Sequence, residues 1–305
     1  MNSPPAPPAD SLVTVDTCLA CRSRDVRTHA PSGRTGFVIL QCRDCGLRFL
    51  RDRLSLDAVV SDYDMDADAY AAFTDITRPE VIDSSHAEVL ERIDQLVGPK
   101  PGRSLFDVGA GDGGFLAMAR ERGFAPAGNE LSSGAIEMAW ERNKVELHKG
   151  DLATLDAGLH DAVTLWCVLA HVPDGDVLLE DVKKVLKPGG LMFLQTPRWS
   201  KMDGMGMVAH DATKGRASRI TDRRMAMHHM SLHTVKSMRA TLERLGWEVV
   251  SIEPHVRYSL TTASYLHSLG ISEKAAERAS RPVNALLDRD LFFRNVLDVY
   301  ARIPG

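Results

Sequence analysis

The sequence predicts an α/β protein built on a mostly parallel sheet, preceded by a small module that holds a metal ion. Two observations predict this. From residue 104 onward, short apolar runs alternate with helical patterns, and four of the five cysteines form two matched C-x-x-C pairs ahead of them. Repeated strand–helix units of this size favour parallel strands covered by helices on both faces. A chain of 305 residues can hold one large domain and an accessory module.

The apolar runs and their spacing define the expected elements of the larger domain. Seven strands are predicted, at 104–110, 125–131, 145–151, 161–167, 191–197, 247–254 and 296–304. Helices are predicted at 113–123, 133–143, 175–190 and 234–246. The helix from 175 is expected to run to the stop signal Pro188-Gly189-Gly190. The stretch between the strands at 191–197 and 247–254 is expected to open with a glycine- and methionine-rich loop over the pocket.

The cysteine pairs are Cys18-x-x-Cys21 and Cys42-x-x-Cys45, with twenty residues between them. Four thiolates at this spacing can converge on a tetrahedral zinc ion, and the intervening stretch has the pattern of two short strands around a Ser-Gly turn. Disulfides are disfavoured because no export signal is visible, and a redox motif does not need two matched pairs. A four-thiolate site has no open coordination position, so the zinc is expected to be structural.

The remaining segments complete the predicted organisation. The chain is divided into a Pro-rich disordered tail at 1–12, the zinc ribbon at 13–55, a helical linker or lid at 56–100 and the large domain at 101–305, with a helical insertion at 258–295 before the last strand. Tyr63 and Tyr70 of the linker could close over a ligand, although tyrosines on a helix are more often core residues.

Charge and hydropathy restrict the partners. The net charge is −4, so no general basic field attracts nucleic acid or anionic lipid. The ribbon is locally basic, which leaves nucleic-acid docking open as a less favoured alternative. No apolar run reaches the roughly 18 residues that a membrane span needs. A soluble cytoplasmic protein with a small-molecule partner is expected.

A glycine-rich turn follows the first predicted strand. Gly109-x-Gly111-x-x-Gly114, with Glu130 further on, satisfies the dinucleotide-binding expression, which alone is weak. Asp107 and Asp112 flank this turn. A phosphate within about 4 Å of such a carboxylate costs around 4 kcal/mol even when partly screened. A zwitterion with a cationic centre avoids that cost, and S-adenosylmethionine (SAM) is such a ligand.

Five stretches occur in an order and spacing that indicate a family. They are LFDVGAGDGGF at 105–115, GNELS at 128–132, KGDL at 149–152, TLWCVLAHV at 164–172 and VLKPGGLMFLQTP at 185–197. From about 104 to 254 the chain resembles class I SAM-dependent methyltransferases. The resemblance implies a Rossmann-like seven-stranded sheet with an antiparallel last strand.

The resemblance also implies a cofactor site. Gly109, Gly111 and Gly113 would let the turn approach the methionine moiety, and Asp107 would help to position it. Glu130 would accept hydrogen bonds from the ribose hydroxyls. The other expected cofactor-binding residues are Leu131, Asp151 and Leu152, with the last two beside the adenine, and Cys167, which is otherwise read as a buried small hydrophobe or pocket wall.

With its N-terminal ribbon, the chain is similar to bacterial methyltransferases of sugar modification and natural-product tailoring. In that group the segment HHMSLHT at 228–234 lies near the substrate mouth. The candidate general bases are His171, His229 and His228, followed by His210 and Asp211, although an isolated histidine is more often a hydrogen-bonded packing residue. Ala170, where an acid is common, weakens any substrate assignment. A SAM-dependent cyclisation or rearrangement without methyl transfer stays open as an alternative.

Overall fold

The computed structural model describes residues 11–74, 79–100, 102–225, 229–257, 262–268, 270–287 and 294–305. Residues 1–10 of the predicted tail lie outside this set, whereas Leu12 already belongs to a strand. The N-terminal module contains β1 (Leu12–Thr14), β2 (Val26–Thr28), β3 (Ile39–Cys42), β4 (Arg48–Leu50) and β5 (Asp52–Leu54). The strands β2 and β3 are the predicted antiparallel pair between the two cysteine motifs.

Three helices connect this module to the large domain. They are α1 (Leu56–Tyr63), α2 (Ala67–Thr74) and α3 (Pro79–Val97). The side chain of Ser55 accepts a hydrogen bond from the backbone N of Ala58 and thereby caps α1. Helix α3 packs its buried residues Val89, Leu90 and Ile93 into the same hydrophobic cluster as the first strand of the central sheet.

The central sheet has seven strands, as predicted. They are β6 (Ser104–Val108), β7 (Ala125–Glu130), β8 (His148–Lys149), β9 (His160–Trp166), β10 (Leu186–Pro197), β12 (Glu248–His255) and β13 (Val296–Arg302). Their order across the sheet is β12-β13-β10-β9-β6-β7-β8. The last strand, β13, pairs antiparallel with both of its neighbours, and the pairs β10–β9, β9–β6, β6–β7 and β7–β8 are parallel. The Rossmann-like arrangement with an antiparallel last strand is therefore confirmed.

Helices cover both faces of this sheet. The helices α4 (Gly114–Glu121), α5 (Ser133–Asn143), α6 (Gly175–Lys184) and α9 (Val235–Arg244) follow the predicted pattern. One hydrophobic cluster joins the sheet to α6 and α9, and the other joins it to α3 and α4. The carboxyl ends of the parallel strands consequently meet at one edge, which is where ligands bind in folds of this type.

Two predicted boundaries were wrong. The strand expected at 145–151 is only β8, because the backbone N of Val145 bonds to the carbonyl O of Ala139 and closes the end of α5 instead. Helix α6 ends at Lys184, four residues before the Pro-Gly-Gly signal. That signal lies inside β10, where the pairing with β9 shifts register between Leu186 and Leu191.

The segment after β10 is helical rather than a simple loop. It contains α7 (Lys201–Ala212), α8 (Arg219–Arg224) and the short strand β11 (Ser231–Leu232). A capping box between Ser200 and Asp203 begins α7, and this is a local signal that the sequence analysis did not use. In the predicted insertion the described elements are α10 (Thr262–Ser268) and α11 (Glu273–Leu287). Residues 258–261, 269 and 288–293 of it lie outside the described set.

Candidate functional site

The glycine turn lies between β6 and α4, at the carboxyl edge of the sheet. Gly109, Gly111 and Gly113 have φ angles of 68°, 57° and 73°, a left-handed conformation that side chains disfavour. Gly113 is the N-cap of α4, where its backbone N donates to the Ala110 carbonyl at 3.0 Å and that of Gly114 to Asp112 Oδ1 at 3.1 Å. The turn can therefore present its backbone closely to a ligand.

Glu130 ends β7 and is already bonded to this turn. Its Oε2 accepts a hydrogen bond from the backbone N of Gly111 at 2.8 Å. Its Oε1 accepts from the backbone N of Leu131 at 2.7 Å and of Ser132 at 3.1 Å. These bonds fix the carboxylate at the point where β6 and β7 end, and a carboxylate has capacity for further donors such as hydroxyl groups.

The side chain of Asp107 is buried, whereas the sequence suggested that it lines the turn. Its side chain is 2% exposed and its Oδ1 accepts a hydrogen bond from the Thr164 hydroxyl at 2.5 Å. Burial raises the pKa of this carboxyl to about 8, the Thr164 bond opposes the shift, and the nearby Glu130 adds to it. Without a ligand the group is therefore mostly protonated at neutral pH, and it becomes an anion most readily when a cation approaches.

This raised pKa predicts a pH-dependent stability. Between about pH 4 and pH 8 the folded chain keeps a proton that the unfolded chain has released, so stability falls as pH rises through that window. Asp107→Asn is expected to flatten this part of the profile, measured by denaturant unfolding of the ligand-free protein at pH 5 and pH 8. Asp112→Asn, at the same turn, is the control and should keep the slope. A slope that persists in Asp107→Asn would contradict the assignment.

A tyrosine of the linker covers the turn. A Cβ atom built on Gly111 would lie 2.8 Å from the Tyr70 hydroxyl oxygen. Tyr70 is mostly buried and belongs to α2, so the structure brings the predicted lid residue onto the predicted cofactor loop. Burial, together with the charges of Asp112 and Glu130, raises the pKa of Tyr70, so the hydroxyl stays neutral.

Gly111→Ala is expected to weaken cofactor binding and to destabilise the fold. The left-handed φ costs a residue with a side chain about 1–2 kcal/mol, and the new methyl group also displaces Tyr70. Gly123→Ala is the matched control, since its φ is +81° but nothing lies within 4 Å of its Cβ position. Thermal unfolding should show a lower unfolding temperature for both variants, whereas calorimetry with SAM should show weaker binding only for Gly111→Ala. Equal SAM affinity in the two variants would argue against a close approach here.

The KGDL segment meets the same edge through its backbone. The backbone N of Gly150 donates to the Glu130 carbonyl at 3.1 Å. Asp151 accepts from the backbone N of Ala153 at 2.8 Å and caps a short 3-10 helix, while Leu152 is buried in the core. The adenine-flanking roles of Asp151 and Leu152, like the cofactor roles of the other named residues, stay predictions.

Three candidate reactive side chains come together next to the turn. The Tyr63 hydroxyl is hydrogen-bonded to Nδ1 of His171. The rings of His171 and His229 lie 4.6 Å apart between centroids. Burial, with the neighbouring Cys167 and Glu130 among the further causes, raises the pKa of Tyr63. The Tyr63–His171 bond joins residues 108 positions apart and was missed in the sequence, where Tyr63 was read only as a lid residue.

The other candidate bases lie elsewhere or outside the described residues. His228 is outside them. His210 is fully buried, with its Nε2 2.9 Å from the Ala30 carbonyl, and Asp211 pairs with Arg27 at 2.6 Å and with His29 at 2.9 Å. Both residues therefore join α7 to the N-terminal module. The structure does not bring them to the His171–His229 pair.

Cys167 begins the loop after β9. It adopts a φ of 62°, and its backbone N donates to the Gln195 carbonyl at 3.0 Å. Burial raises the pKa of its thiol to about 11, so the sulfur is protonated at neutral pH and is a poor nucleophile. The expected place of Cys167 in a pocket wall and its cofactor role stay predictions.

The four remaining cysteines form one cluster. Their sulfurs all lie within 4.8 Å of one another, with Cys18–Cys45 at 3.4 Å and Cys21–Cys42 at 3.6 Å. A tetrahedral zinc ion with Zn–S bonds of about 2.3 Å separates its sulfurs by roughly 3.8 Å. Left-handed residues follow both motifs, Arg22 at φ 62° and Gly46 at φ 79°. The donor set and its spacing fit a structural zinc ion.

At least one of the cations that follow β10 is held by hydrogen bonds within the chain. Arg224 donates to Asp203 Oδ1 at 2.9 Å and to the Arg198 carbonyl at 2.7 Å. From the sequence, either a solvated basic loop or a site for a phosphate or carboxylate of the acceptor was open for seven cations: Arg198, Lys201, Lys214, Arg216, Arg219, Arg223 and Arg224. Arg224 is therefore a structural ion-pair residue, and an acceptor role of the others stays a prediction.

Comparison with known proteins gives the family. A family model described as a methyltransferase domain matches residues 79–252. The chain belongs to this family. Among curated relatives, the methyltransferase domain is 33% identical over 115 residues to a ubiquinone biosynthesis O-methyltransferase of Bordetella avium, covering 35% of this chain and 48% of that protein. It is 26% identical over 171 residues to a malonyl-[acyl-carrier protein] O-methyltransferase of Serratia marcescens, and this match covers 50% of this chain and 62% of that protein.

The chain thus spans about half the length of the Bordetella relative. A crystal structure of a presumed methyltransferase from Bacillus halodurans C-125 has the same fold, with a TM-score of 0.51, 15% identity, and coverage of 71% of this chain and 99% of that one. Among the described helices, none combines the length and the apolar character needed to cross a membrane.

Proposed function

We propose that the chain is a class I methyltransferase that moves the methyl group of SAM to a small-molecule acceptor. The observation that carries this proposal is the arrangement of the Tyr63–His171–His229 cluster beside a glycine turn bonded to Glu130. The two parts supply what methyl transfer needs, namely a cofactor cradle and a group that can accept a proton.

SAM, when bound, supplies a methyl group on a positively charged sulfur that leaves as S-adenosylhomocysteine. Glu130 would hold the ribose hydroxyls, and the backbone of the glycine turn would lie against the amino-acid end. Asp107, held by Thr164, would give up its proton as the cation arrives. The chain's task is then to align the acceptor atom with the methyl carbon and to exclude water.

His171 and His229 would receive the proton that the acceptor loses as its new bond to carbon forms. A histidine suits this role because its ordinary pKa is near 6.5. In this scheme the Nδ1–H of His171 donates to the Tyr63 hydroxyl oxygen, which leaves the lone pair of Nε2 to accept the proton of the acceptor. Tyr63 is thus a positioning residue in this scheme.

A small acceptor is favoured over nucleic acid. Four of the eight ribbon arginines pair with carboxylates within the chain: Arg22 with Asp176, Arg27 with Asp211, Arg43 with Asp25 and Arg51 with Asp52. A surface that binds nucleic acid would leave such charges open to phosphates. Within this class we propose a sugar or natural-product intermediate as the acceptor, and the cytoplasm as the location, since none of the five cysteines, all of which lie within the described residues, forms a disulfide.

The proposal is tested with methyl-labelled SAM and a panel of sugar nucleotides, phenols and carboxylic acids. Wild-type protein is expected to form one S-adenosylhomocysteine for each labelled product. His171→Gln is expected to lower kcat by about 10²- to 10⁴-fold with SAM affinity retained. The kcat of Tyr63→Phe should lie between those of wild type and His171→Gln. The control is His148→Gln, which changes an exposed histidine of β8 and should keep the kcat of wild type. A product formed without S-adenosylhomocysteine would indicate a rearrangement instead of transfer.

A further inference from the structure

The zinc ribbon is attached to the two loops that carry the candidate histidines. The backbone N of Leu50 donates to the Met230 carbonyl at 2.9 Å, and the backbone N of Met230 donates to the Ala170 carbonyl at 2.8 Å. Residues 230 and 170 are the chain neighbours of His229 and His171. Two consecutive backbone hydrogen bonds therefore connect the ribbon to the chain neighbours of both histidines.

The attachment continues as sheet. Strand β11 extends the ribbon's sheet to four strands in the order β11-β4-β3-β2, with Ser231 opposite Phe49. Just after β11, the Thr234 hydroxyl donates to the carbonyl of Cys45, one of the proposed zinc ligands, at 2.8 Å. A short strand of two residues cannot hold its place alone, so its position depends on the ribbon it pairs with.

Arg53 makes a second connection from the ribbon side. This residue of β5 is 2% exposed, and its Nη2 donates to the carbonyl of Val172, next to His171, at 3.0 Å. Its Nε and Nη1 are buried without a hydrogen-bond partner in the part of the chain that the structure describes. Burial, with a smaller effect of the Arg53 charge, lowers the pKa of the adjoining His233 to about 4.

Burial of a guanidinium costs free energy unless the charged group is paired or hydrogen-bonded. Burial lowers the pKa of Arg53 only to about 10, so the group remains charged at neutral pH. Its described hydrogen bond is the one to Val172. A charged donor strengthens such a bond and fixes the direction of the carbonyl that follows His171.

From these contacts we infer that Arg53 is a positioning residue for His171, and that the ribbon uses Arg53 and β11 to hold both candidate histidines in register with Tyr63. The ribbon is then part of the acceptor site although its metal touches no reactant. This inference rests on the proposed function, because it assumes that the two histidines act on the acceptor.

The test records the ring signals of the histidines by NMR on protein with ¹⁵N-labelled imidazoles, saturated with S-adenosylhomocysteine. His171→Gln and His229→Gln assign the two signals. In Arg53→Met both signals are expected to shift or broaden, while Arg53→Lys, which keeps one charged donor, restores them toward wild type. Arg24→Met removes an exposed charge from the same ribbon and should leave them unchanged.

The zinc content and the S-adenosylhomocysteine affinity of all these variants are expected to match wild type, the affinity within about twofold, because the glycine turn is a separate site. Unmoved His171 and His229 signals in Arg53→Met would overturn the inference. So would a general change of all histidine signals, which would mean a purely structural role. Failure of the wild type to bind S-adenosylhomocysteine would instead contradict the proposed function, so the two failures are distinguishable.

Discussion

Glu130→Ala is expected to weaken SAM binding by about 10²- to 10⁴-fold. Two hydrogen bonds from hydroxyl groups to a carboxylate contribute about 3–6 kcal/mol together, and each 1.4 kcal/mol is a factor of ten in affinity. The substitution also leaves the backbone N–H groups of Gly111, Leu131 and Ser132 without their acceptor, which loosens the turn. Isothermal titration calorimetry with SAM measures the effect.

The matched control is Glu137→Ala, which removes an exposed glutamate from the neighbouring helix α5 and should leave SAM affinity unchanged. Zinc content should be the same in wild type and in both variants, because the cysteine cluster is distant in the sequence and makes no described bond to Glu130. Wild-type SAM affinity in Glu130→Ala would show that the cofactor site lies elsewhere.

Cys18→Ser is expected to unfold the ribbon. Binding of a structural zinc ion contributes about 10 kcal/mol or more to the folding of such small modules, as much as the whole stability of a typical domain. Three of the eight buried residues of the ribbon core are Cys18, Cys42 and Cys45 themselves, so loss of the metal disrupts the core directly. Limited proteolysis should cut within 13–55, and metal analysis should find no zinc.

Cys167→Ser is the control for this change, because Cys167 lies outside the cluster, and it should keep one zinc per chain. Since β11 pairs with the ribbon, Cys18→Ser is also expected to abolish methyl transfer while the glycine turn keeps some affinity for SAM. A Cys18→Ser protein that resists protease like the wild type would refute a structural role for the metal.

The features that could be predicted from sequence are those fixed by neighbouring residues. The glycine turn follows from three glycines within five positions after an apolar strand. The cysteine cluster follows from two C-x-x-C pairs, because the antiparallel pairing of β2 and β3 brings their thiols together. The order of strands and helices follows from the alternation of apolar patterns.

The features that were missed depend on contacts between distant residues. Tyr63, the last residue of α1, and His171 meet although they lie 108 positions apart, and no spacing rule connects them. Arg53 is one of the arginines that make the ribbon sequence basic, whereas the folded chain buries it against Val172. His210 and Asp211 were grouped with the other candidate bases, but α7 turns them toward the ribbon.

The protonation state of Asp107 changes the reason for expecting a cationic cofactor. The sequence suggested two exposed carboxylates that repel a phosphate. The Asp107 carboxyl is buried and its pKa is raised to about 8, so it carries little charge before a ligand arrives. Its preference for a cation is kept, because a nearby positive charge favours the ionised form.

The most direct test of this account is mass spectrometry under non-denaturing conditions, on purified protein mixed with equal amounts of SAM and nicotinamide adenine dinucleotide. We expect one species that carries one zinc ion and one SAM or S-adenosylhomocysteine. A species that carries the dinucleotide and no adenosyl sulfur compound would contradict it.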